Sequence, residues 1–416
     1  MVKGILRRRF WIAVIAGLWG AGAQAAWQFV PNINISARTQ DNVRLAPGDV
    51  PNQDATSSVV DAELTLSTFS QRGYVTFDPR ISVNLYADQF NGDLDGNDIF
   101  LRGRGEYEWQ RVTIGFRTDY RKRAVIRAEL AEIEEPDFDD DSDIDDPDDV
   151  DTGRLIAIEQ DQIRYTLRPR LDYELSERST FRFEALTTEV SYSDFNVPGR
   201  TGFQDNSFRV GVIRRANERN RVTATLVVDD YDSELNGNST DTVGVVGRID
   251  RRLSDLWRLD FSVGLTRSDF IYFDDLELVD NASVDYSFDV RTRRRGERTQ
   301  LEFRAGHRLN PSASGYVVKR NQLRFYIDHQ LTQRLFTRIG FRVEEIDSVG
   351  GAAPQNDRDY KRAEVSFSWA LTEKWRLWSG YDFLSQEFVN QSTGSRSSNM
   401  IFIGVGYQGL SRPEAP

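Results

Sequence analysis

Alternation of apolar and polar residues is the feature that most constrains this chain. Apolar side chains take nearly every second position from Trp257 to Leu265 and from Leu335 to Glu344, and the pattern recurs in Arg221 to Val228 and Thr299 to Arg308. This period of two is that of a β-strand with two chemically different faces. No helical periodicity of useful length competes with it. The sequence therefore predicts an all-β protein.

Short polar turns recur at a nearly fixed interval. Six of them, centred on residues 177, 218, 255, 296, 333 and 373, lie 37 to 41 residues apart, and two earlier ones lie near residues 71 and 110. Each interval holds two strands, one tight turn and one long loop, whereas a propeller blade of similar length holds four strands. The nine predicted long loops include residues 123–158, 273–280 and 310–315. Eight turns, with one further strand at each end, predict 18 strands.

Two prolines leave an alternative strand count. Pro79 and Pro169 lie inside strand-like segments, and proline is normally confined to strand edges and bulges because it has no N–H to donate. Sixteen strands are therefore the alternative.

The first residues predict export. A basic segment with Lys3 and Arg7 to Arg9 precedes an apolar run from Phe10 to Leu18, and Ala23-Gln24-Ala25 supplies the small residues of a cleavage site. The apolar run is too short to span a bilayer core of about 30 Å as a helix. We expect residues 1–25 to be a signal peptide cleaved after Ala25, and residues 26–416 to form one exported domain.

Composition excludes several classes of protein. With a mean hydropathy of −0.53 and 28% charged residues, the chain is too polar for a bundle of membrane helices. The absence of cysteine excludes a disulfide framework and a thiolate site, and only His307 and His329 could serve as a general base near neutral pH. No glycine-rich phosphate loop or metal-ligand spacing is present. We therefore expect no enzyme activity and no cofactor.

Together these features predict a transmembrane antiparallel β-barrel of the outer-membrane type, with short turns at the periplasmic end and long outer loops. Four tryptophans near predicted turns would form the aromatic girdle at the periplasmic interface: Trp109, Trp257, Trp369 and Trp375. Alternation alone leaves one competitor, a soluble periplasmic sandwich or propeller with its apolar face inside.

Energetics decides which strand face is inward in a barrel. Arginine on the lipid face costs about 2–4 kcal/mol at the bilayer midplane, so strands that carry several charges must turn them toward the lumen. The residues predicted to face the lumen are Arg258, Asp260, Glu302, Arg304, Arg338, Arg342 and Glu344. Charges that face inward need water or a charge network around them, because an unpaired buried ion is costly.

An acidic segment dominates the net charge of −12. Residues 129–151 hold fourteen carboxylates and no basic residue, within the predicted outer loop 123–158. Such a block repels itself and is solvated, although its oxygens could bind cations; the candidates are Asp139, Asp140, Asp141, Asp143, Asp145, Asp146, Asp148 and Asp149. The sequence from Asp141 onward departs from the calcium-binding loop of an EF-hand, because Asp146 stands where that loop needs glycine and Thr152 where it needs glutamate. No metal site is therefore defined.

The segment from Ile35 to Arg44, with Asp41, Asn42 and Val43 at the end of the first strand, adds a family resemblance. Together with the export signal and the hairpin repeat, it resembles the β-barrel porin type 2 family of Gram-negative outer-membrane proteins. The resemblance implies a non-enzymatic barrel, in some members associated with exopolysaccharide genes, and no catalytic residue carries over. The last strand-like segment ends at Tyr407 rather than at the end of the chain, so the barrel assembly machinery would have to recognise Tyr407.

The function predicted from the sequence is passive diffusion of hydrophilic solutes. Two alternatives remain: a barrel that assists export or surface attachment of an exopolysaccharide, and a structural or adhesive barrel with a plugged lumen. Only five of the 53 basic residues are lysine, and guanidinium groups suit the phosphates of lipopolysaccharide or an acidic polysaccharide. Outer-membrane lipid, lipopolysaccharide and the assembly machinery are the expected partners. Nucleic acid is not, because the chain is acidic and exported.

Overall fold

The structure, a computed structural model, describes residues 27–43, 45, 54–87, 94–125, 160–193, 200–234, 237–274, 277–313, 315–349, 357–389 and 394–409. The signal segment 1–25 and the acidic positions Asp139 to Asp149 lie outside these residues. Within the described ranges, no helix is long and apolar enough to cross a membrane.

Eighteen antiparallel strands follow one another along the chain, which confirms the higher of the two predicted counts. Their bounds are β1 Trp27–Gln40, β2 Ala55–Ser70, β3 Gly73–Tyr86, β4 Gly96–Trp109, β5 Val112–Ala124, β6 Asp161–Ser176, β7 Ser179–Tyr192, β8 Phe203–Asn217, β9 Asn220–Ser233, β10 Ser239–Arg252, β11 Trp257–Asp274, β12 Glu277–Arg295, β13 Thr299–Pro311, β14 Val317–Gln330, β15 Leu335–Ser348, β16 Arg358–Ala370, β17 Trp375–Phe388 and β18 Ser395–Gln408.

Each strand pairs with the next, and β1 pairs with both β2 and β18, so the sheet closes into a barrel. Tight connections at all eight predicted turns join the strands at one end. One predicted loop is wrong. Residues 273–280 are mostly strand, because β11 and β12 pair as far as Asp274 and Glu277. Acidic residues, which are poor strand formers, hid the continued pairing there.

Both questionable prolines lie within strands. Pro79 pairs with Leu101 on one side, while the pairing of β2 with β3 omits Asp78 and Pro79. Pro169 pairs with Phe116, while the pairing of β6 with β7 omits Arg168 and Pro169. Each proline therefore interrupts only one of its two ladders, and the strand continues.

The seam between β1 and β18 is fixed at its outer end by Asp41 and Asn42. The strands pair from Asn32 opposite Gln408 to Gln40 opposite Met400. Just beyond, the Asn399 side-chain amide donates to the Asp41 carboxylate at 2.8 Å, and the Asn42 amide donates to the Ser397 carbonyl at 2.9 Å. Asp41 and Asn42 thus add side-chain hydrogen bonds at the outer end of the seam.

A closed barrel predicts heat-modifiable migration on a detergent gel. Every strand is paired with a neighbour on both sides over at least part of its length, so detergent without heat finds no strand that is free along a whole edge. We expect the unheated protein to migrate at a different apparent mass from the boiled protein. Identical migration before and after boiling, together with full solubility in buffer, would contradict a membrane barrel.

Candidate functional site: the barrel interior

The two faces of the wall differ sharply. From β7 to β11, a cavity is lined by every second residue, including Glu184, Asp229 and Arg248, so this face is the inner one. The intervening residues are mostly apolar and face the outside, with Val245 and Leu265 about 60% exposed. A soluble protein would place these two sets the other way round. The chain is a transmembrane β-barrel of the outer-membrane type.

The seven residues predicted to face the lumen all lie on the inner face, in two groups. Arg258 and Asp260 are on β11, where the Asp260 carboxylate, only 1% exposed, lies 3.3 Å from Arg248 and 3.6 Å from Arg293. The others lie on β13 and β15: Glu302, Arg304, Arg338, Arg342 and Glu344. The Arg338 guanidinium contacts Asp328 at 2.8 Å. Strand pairing brings the β13 and β15 residues into one network with β12, β14 and β16.

Five arginines form a row across five consecutive strands. They lie directly opposite one another from β12 to β16, and we call them the arginine row: Arg291, Arg304, Arg324, Arg342 and Arg362. Like charges directly opposite each other in a sheet are destabilising. The compensating carboxylates lie one step to either side along the strands, with Arg304 bound to Asp289 at 2.7 Å and Arg291 to Glu302 at 2.9 Å.

Arg291, Arg324 and Arg362 were not among the predicted residues. The register about a predicted turn marks only one of them. Arg324 and Arg342 each lie nine residues from the turn centred on residue 333, so a count outward from that turn places Arg324 opposite the predicted Arg342. Arg362 pairs with Arg342 across an outer connection, and Arg291 and Arg304 pair about a point between residues 297 and 298 rather than about the predicted centre at 296, so the turns do not mark these two.

Glu344 is the central acceptor of this network. Its carboxylate accepts hydrogen bonds from Arg320 at 2.7 Å and from Arg342 at 2.7 Å, and Arg324 lies 3.5 Å away. The side chains of Arg320, Arg342 and Glu344 are each less than 5% exposed. One buried carboxylate therefore contacts three guanidinium groups, and charge-assisted hydrogen bonds of this kind are the strong ones.

Positive charge exceeds negative charge along this arc of the inner face. From β13 to β16 the inward positions hold eight arginines, Arg304, Arg308, Arg320, Arg324, Arg338, Arg342, Arg358 and Arg362, against four carboxylates, Glu302, Asp328, Glu344 and Glu364. The local charge is thus 8 − 4 = +4. A solute anion is favoured beside such a surface, and more so where water is restricted.

The connection between β13 and β14 leaves the wall and lies over the lumen. Its described residues, which we call the tip, are Pro311–Ala313 and Gly315–Tyr316. Tyr231 of β9 donates a hydrogen bond to the Ser312 carbonyl at 2.7 Å, and the Thr201 amide donates to the Ala313 carbonyl at 2.8 Å. β9 is four strands from β13, about 19 Å along the wall at about 4.8 Å per strand. The tip therefore narrows the barrel at its outer end.

The tip is packed as well as hydrogen-bonded. Ala313 is fully buried in an apolar cluster with Val190, Phe203, Tyr231, Phe270, Val317 and Val349. Gly315 has a φ of +89°, and a Cβ there would lie 3.2 Å from the Thr201 side chain, so glycine suits this position. Next to Thr201, burial lowers the pKa of the Arg200 guanidinium to about 9, with a smaller contribution from Arg358.

The two histidines lie apart from the charge network. His307 is on the outer face, where its ring stacks on Tyr286 at 4.7 Å between centroids. His329 binds the Thr299 hydroxyl at 2.8 Å. Among the described residues, no group of three or more His, Asp or Glu side chains is arranged to hold a metal ion.

The solved structures similar to this barrel include several outer-membrane channels. They include a BenF-like porin from Pseudomonas fluorescens (9% identity, TM-score 0.49, 92% of this chain and 98% of that one) and the outer membrane channel DcaP of Acinetobacter baumannii (12%, 0.46, 93% and 98%). OccK2 of Pseudomonas aeruginosa is a third (11%, 0.47, 92% and 97%). No protein-family model and no curated protein matches the chain. The assignment of the fold rests on the strand register and on the two faces of the wall.

Proposed function

We propose that this barrel is a passive diffusion channel for hydrophilic solutes in the outer membrane, with a preference for anions. The observation that carries the proposal is the inner face, where four of the five residues of the arginine row lie within the arc of charge +4 from β13 to β16. Fixed charges along a water-filled path select ions of the opposite sign. The chemistry is non-enzymatic in this proposal, and export through the signal cleaved after Ala25 delivers the chain to the membrane.

Planar-bilayer conductance tests this function. In a salt gradient we expect a reversal potential of the sign given by anion selectivity. The double variant Arg304→Gln, Arg324→Gln should move it toward cations, because two positive charges are lost while the nearby carboxylates Asp289 and Glu344 remain. The control is Arg267→Gln, whose side chain is 68% exposed on the outer face and should leave selectivity unchanged. Equal selectivity in all three proteins would overturn the assignment of the arc.

The tip favours a second candidate, a structural or adhesive barrel with a plugged lumen. Its hydrogen bonds to Tyr231 and Thr201 hold it over the inner space. A barrel that inserts into the bilayer but carries no current would support this candidate. The same result would also fit a barrel that exports an exopolysaccharide and opens only when a partner protein binds. We further propose that the chain belongs to the type 2 porin family and that the assembly machinery recognises Tyr407. Lipopolysaccharide and polysaccharide are its proposed partners at the cell surface.

A further inference from the structure

The pairing between β12 and β13 stops partway up the wall. The last pair is Phe288 opposite His307, yet β12 continues to Glu277 and β13 to Pro311. Beyond that pair, β12 remains paired with β11 and β13 with β14. The wall therefore divides between residues 283–287 of β12 and residues 308–311 of β13, and we call this separation the lateral window.

An ion pair crosses the lateral window. The Lys319 ammonium of β14 lies 2.6 Å from the Asp285 carboxylate of β12. In sheet order β13 stands between these two strands. At this height β13 is still paired with β14 but no longer with β12, so the ion pair links the two sides of the window.

The cavity inside the barrel reaches this window. Along β7 to β11 it is lined by alternate residues, as behind a closed wall. At β12 and β13 it is lined by consecutive residues, Ser287 to Asp289 and His307 to Pro311, which belong to both faces. Phe288 and His307, the outer-face pair at which the pairing ends, thus border the same cavity as the inner-face residues, so the cavity reaches the level of the window.

The window lies at the level of the outer leaflet. Phe288 and His307 are seven residues above Gln300, or about 18 Å for strands with a ~3.4 Å rise and ~40° tilt, whereas the apolar band is about 25 Å tall. On the outer face, Val284 is 69% and Tyr286 61% exposed, and Arg267, opposite Val284, marks the start of polar surface. Apolar chains and lipid headgroups meet at this height.

We propose that the lateral window admits an amphiphile, with its polar head in the lumen and its apolar chain toward the outer leaflet. Arg308 and Asp289 border the cavity on the inner side, while Phe288 and Leu309 border it at the gap. This arrangement offers charge to the head and an apolar path to the chain. The proposal deepens the proposed function by naming a solute class, and its test does not depend on conduction.

The test is access of lipid chains to the lumen side of the window. The chain has no cysteine, so single-cysteine variants can be labelled with bimane in vesicles that contain brominated phosphatidylcholine. Ser287→Cys is the window position, Thr242→Cys lies on the inner face between two paired strands, and Val245→Cys on the outer face. We expect quenching at residue 287 to approach that at 245, with little at 242. Quenching at 287 as weak as at 242 would overturn the window.

Two further measurements test whether an amphiphile occupies the window and whether the ion pair between Lys319 and Asp285 restricts it. Octanoate, but not acetate, should reduce the lipid quenching at residue 287, because only octanoate has a chain to fill the gap. Lys319→Gln should increase quenching at 287 and leave 242 unchanged. Equal effects of octanoate and acetate would reject an amphiphile as the occupant. All of these measurements use fluorescence and need no conductance. A barrel that does not conduct would therefore contradict the proposed function, whereas the lateral window would still be tested by quenching.

Discussion

Glu344→Gln should lower the free energy of unfolding by about 3–5 kcal/mol, the cost of removing one partner from a buried ion network. The carboxylate is 3% exposed and serves Arg320, Arg324 and Arg342. Glutamine keeps the shape and one acceptor oxygen but removes the charge, so three guanidinium groups then repel one another in a site that admits little water. Unfolding by guanidinium chloride in detergent micelles, followed by tryptophan fluorescence, measures the change.

The matched control is the next residue along β15. Glu345 points to the outer face, is exposed, and accepts a hydrogen bond from Asn321 at 2.9 Å. Glu345→Gln should change stability far less, because its carboxylate is solvated in both states. Equal destabilisation by the two variants would show that the inner network holds less of the barrel's stability than its burial indicates.

Shortening the tip should raise single-channel conductance severalfold. Replacement of residues 312–316 by Asn-Gly gives β13 and β14 a tight hairpin turn and removes the contacts to Tyr231 and Thr201 that hold the tip over the lumen. Current through a narrow path is limited by its narrowest cross-section, so widening that section has the largest effect. Planar-bilayer recording in symmetric salt measures it.

The control makes the same replacement at an exposed turn. Asn-Gly in place of Ser254-Asp255, between β10 and β11, alters a turn at the opposite end of the barrel and should leave conductance unchanged. If the shortened tip conducts no more than the unaltered chain, the narrowest section lies elsewhere. Within the arc described above, the arginine row would be the next place to look.

Much of the barrel could be predicted from local pattern. A period of two fixes which residues share a face, and the lipid cost of arginine fixes which face is inward, so Arg338, Arg342 and Glu344 were placed without knowledge of their neighbours. Polar turns gave the strand count because each tight turn joins consecutive strands. The prolines left the strand count open because the sequence does not show whether a strand can give up pairing with one neighbour and keep the other, as β3 does at Pro79.

The parts that sequence did not show depend on contacts between distant segments. Residues 310–315 have the composition of an ordinary outer loop, and only their contacts with Tyr231 and Thr201 place them over the lumen. The sequence also gives no sign that the pairing of β12 with β13 ends at Phe288 and His307, because the residues beyond this pair keep the alternation of a strand. Acidic residues also hid the extension of β11 to Asp274 and the start of β12 at Glu277.

The seam described for β1 and β18 sets the order in which such a barrel can form. Every other ladder joins strands that are consecutive in sequence, whereas the seam joins Gln40 to Met400. Closing so long a loop costs more entropy than any hairpin does, and contacts of high sequence separation form slowly. The open sheet must therefore persist with β1 and β18 unpaired until the last hairpin is complete, and the Asp41 and Asn42 contacts can stabilise only the final step. Substitutions there should act on the rate of closure and on aggregation through free strand edges, while the hairpins form at their usual rate.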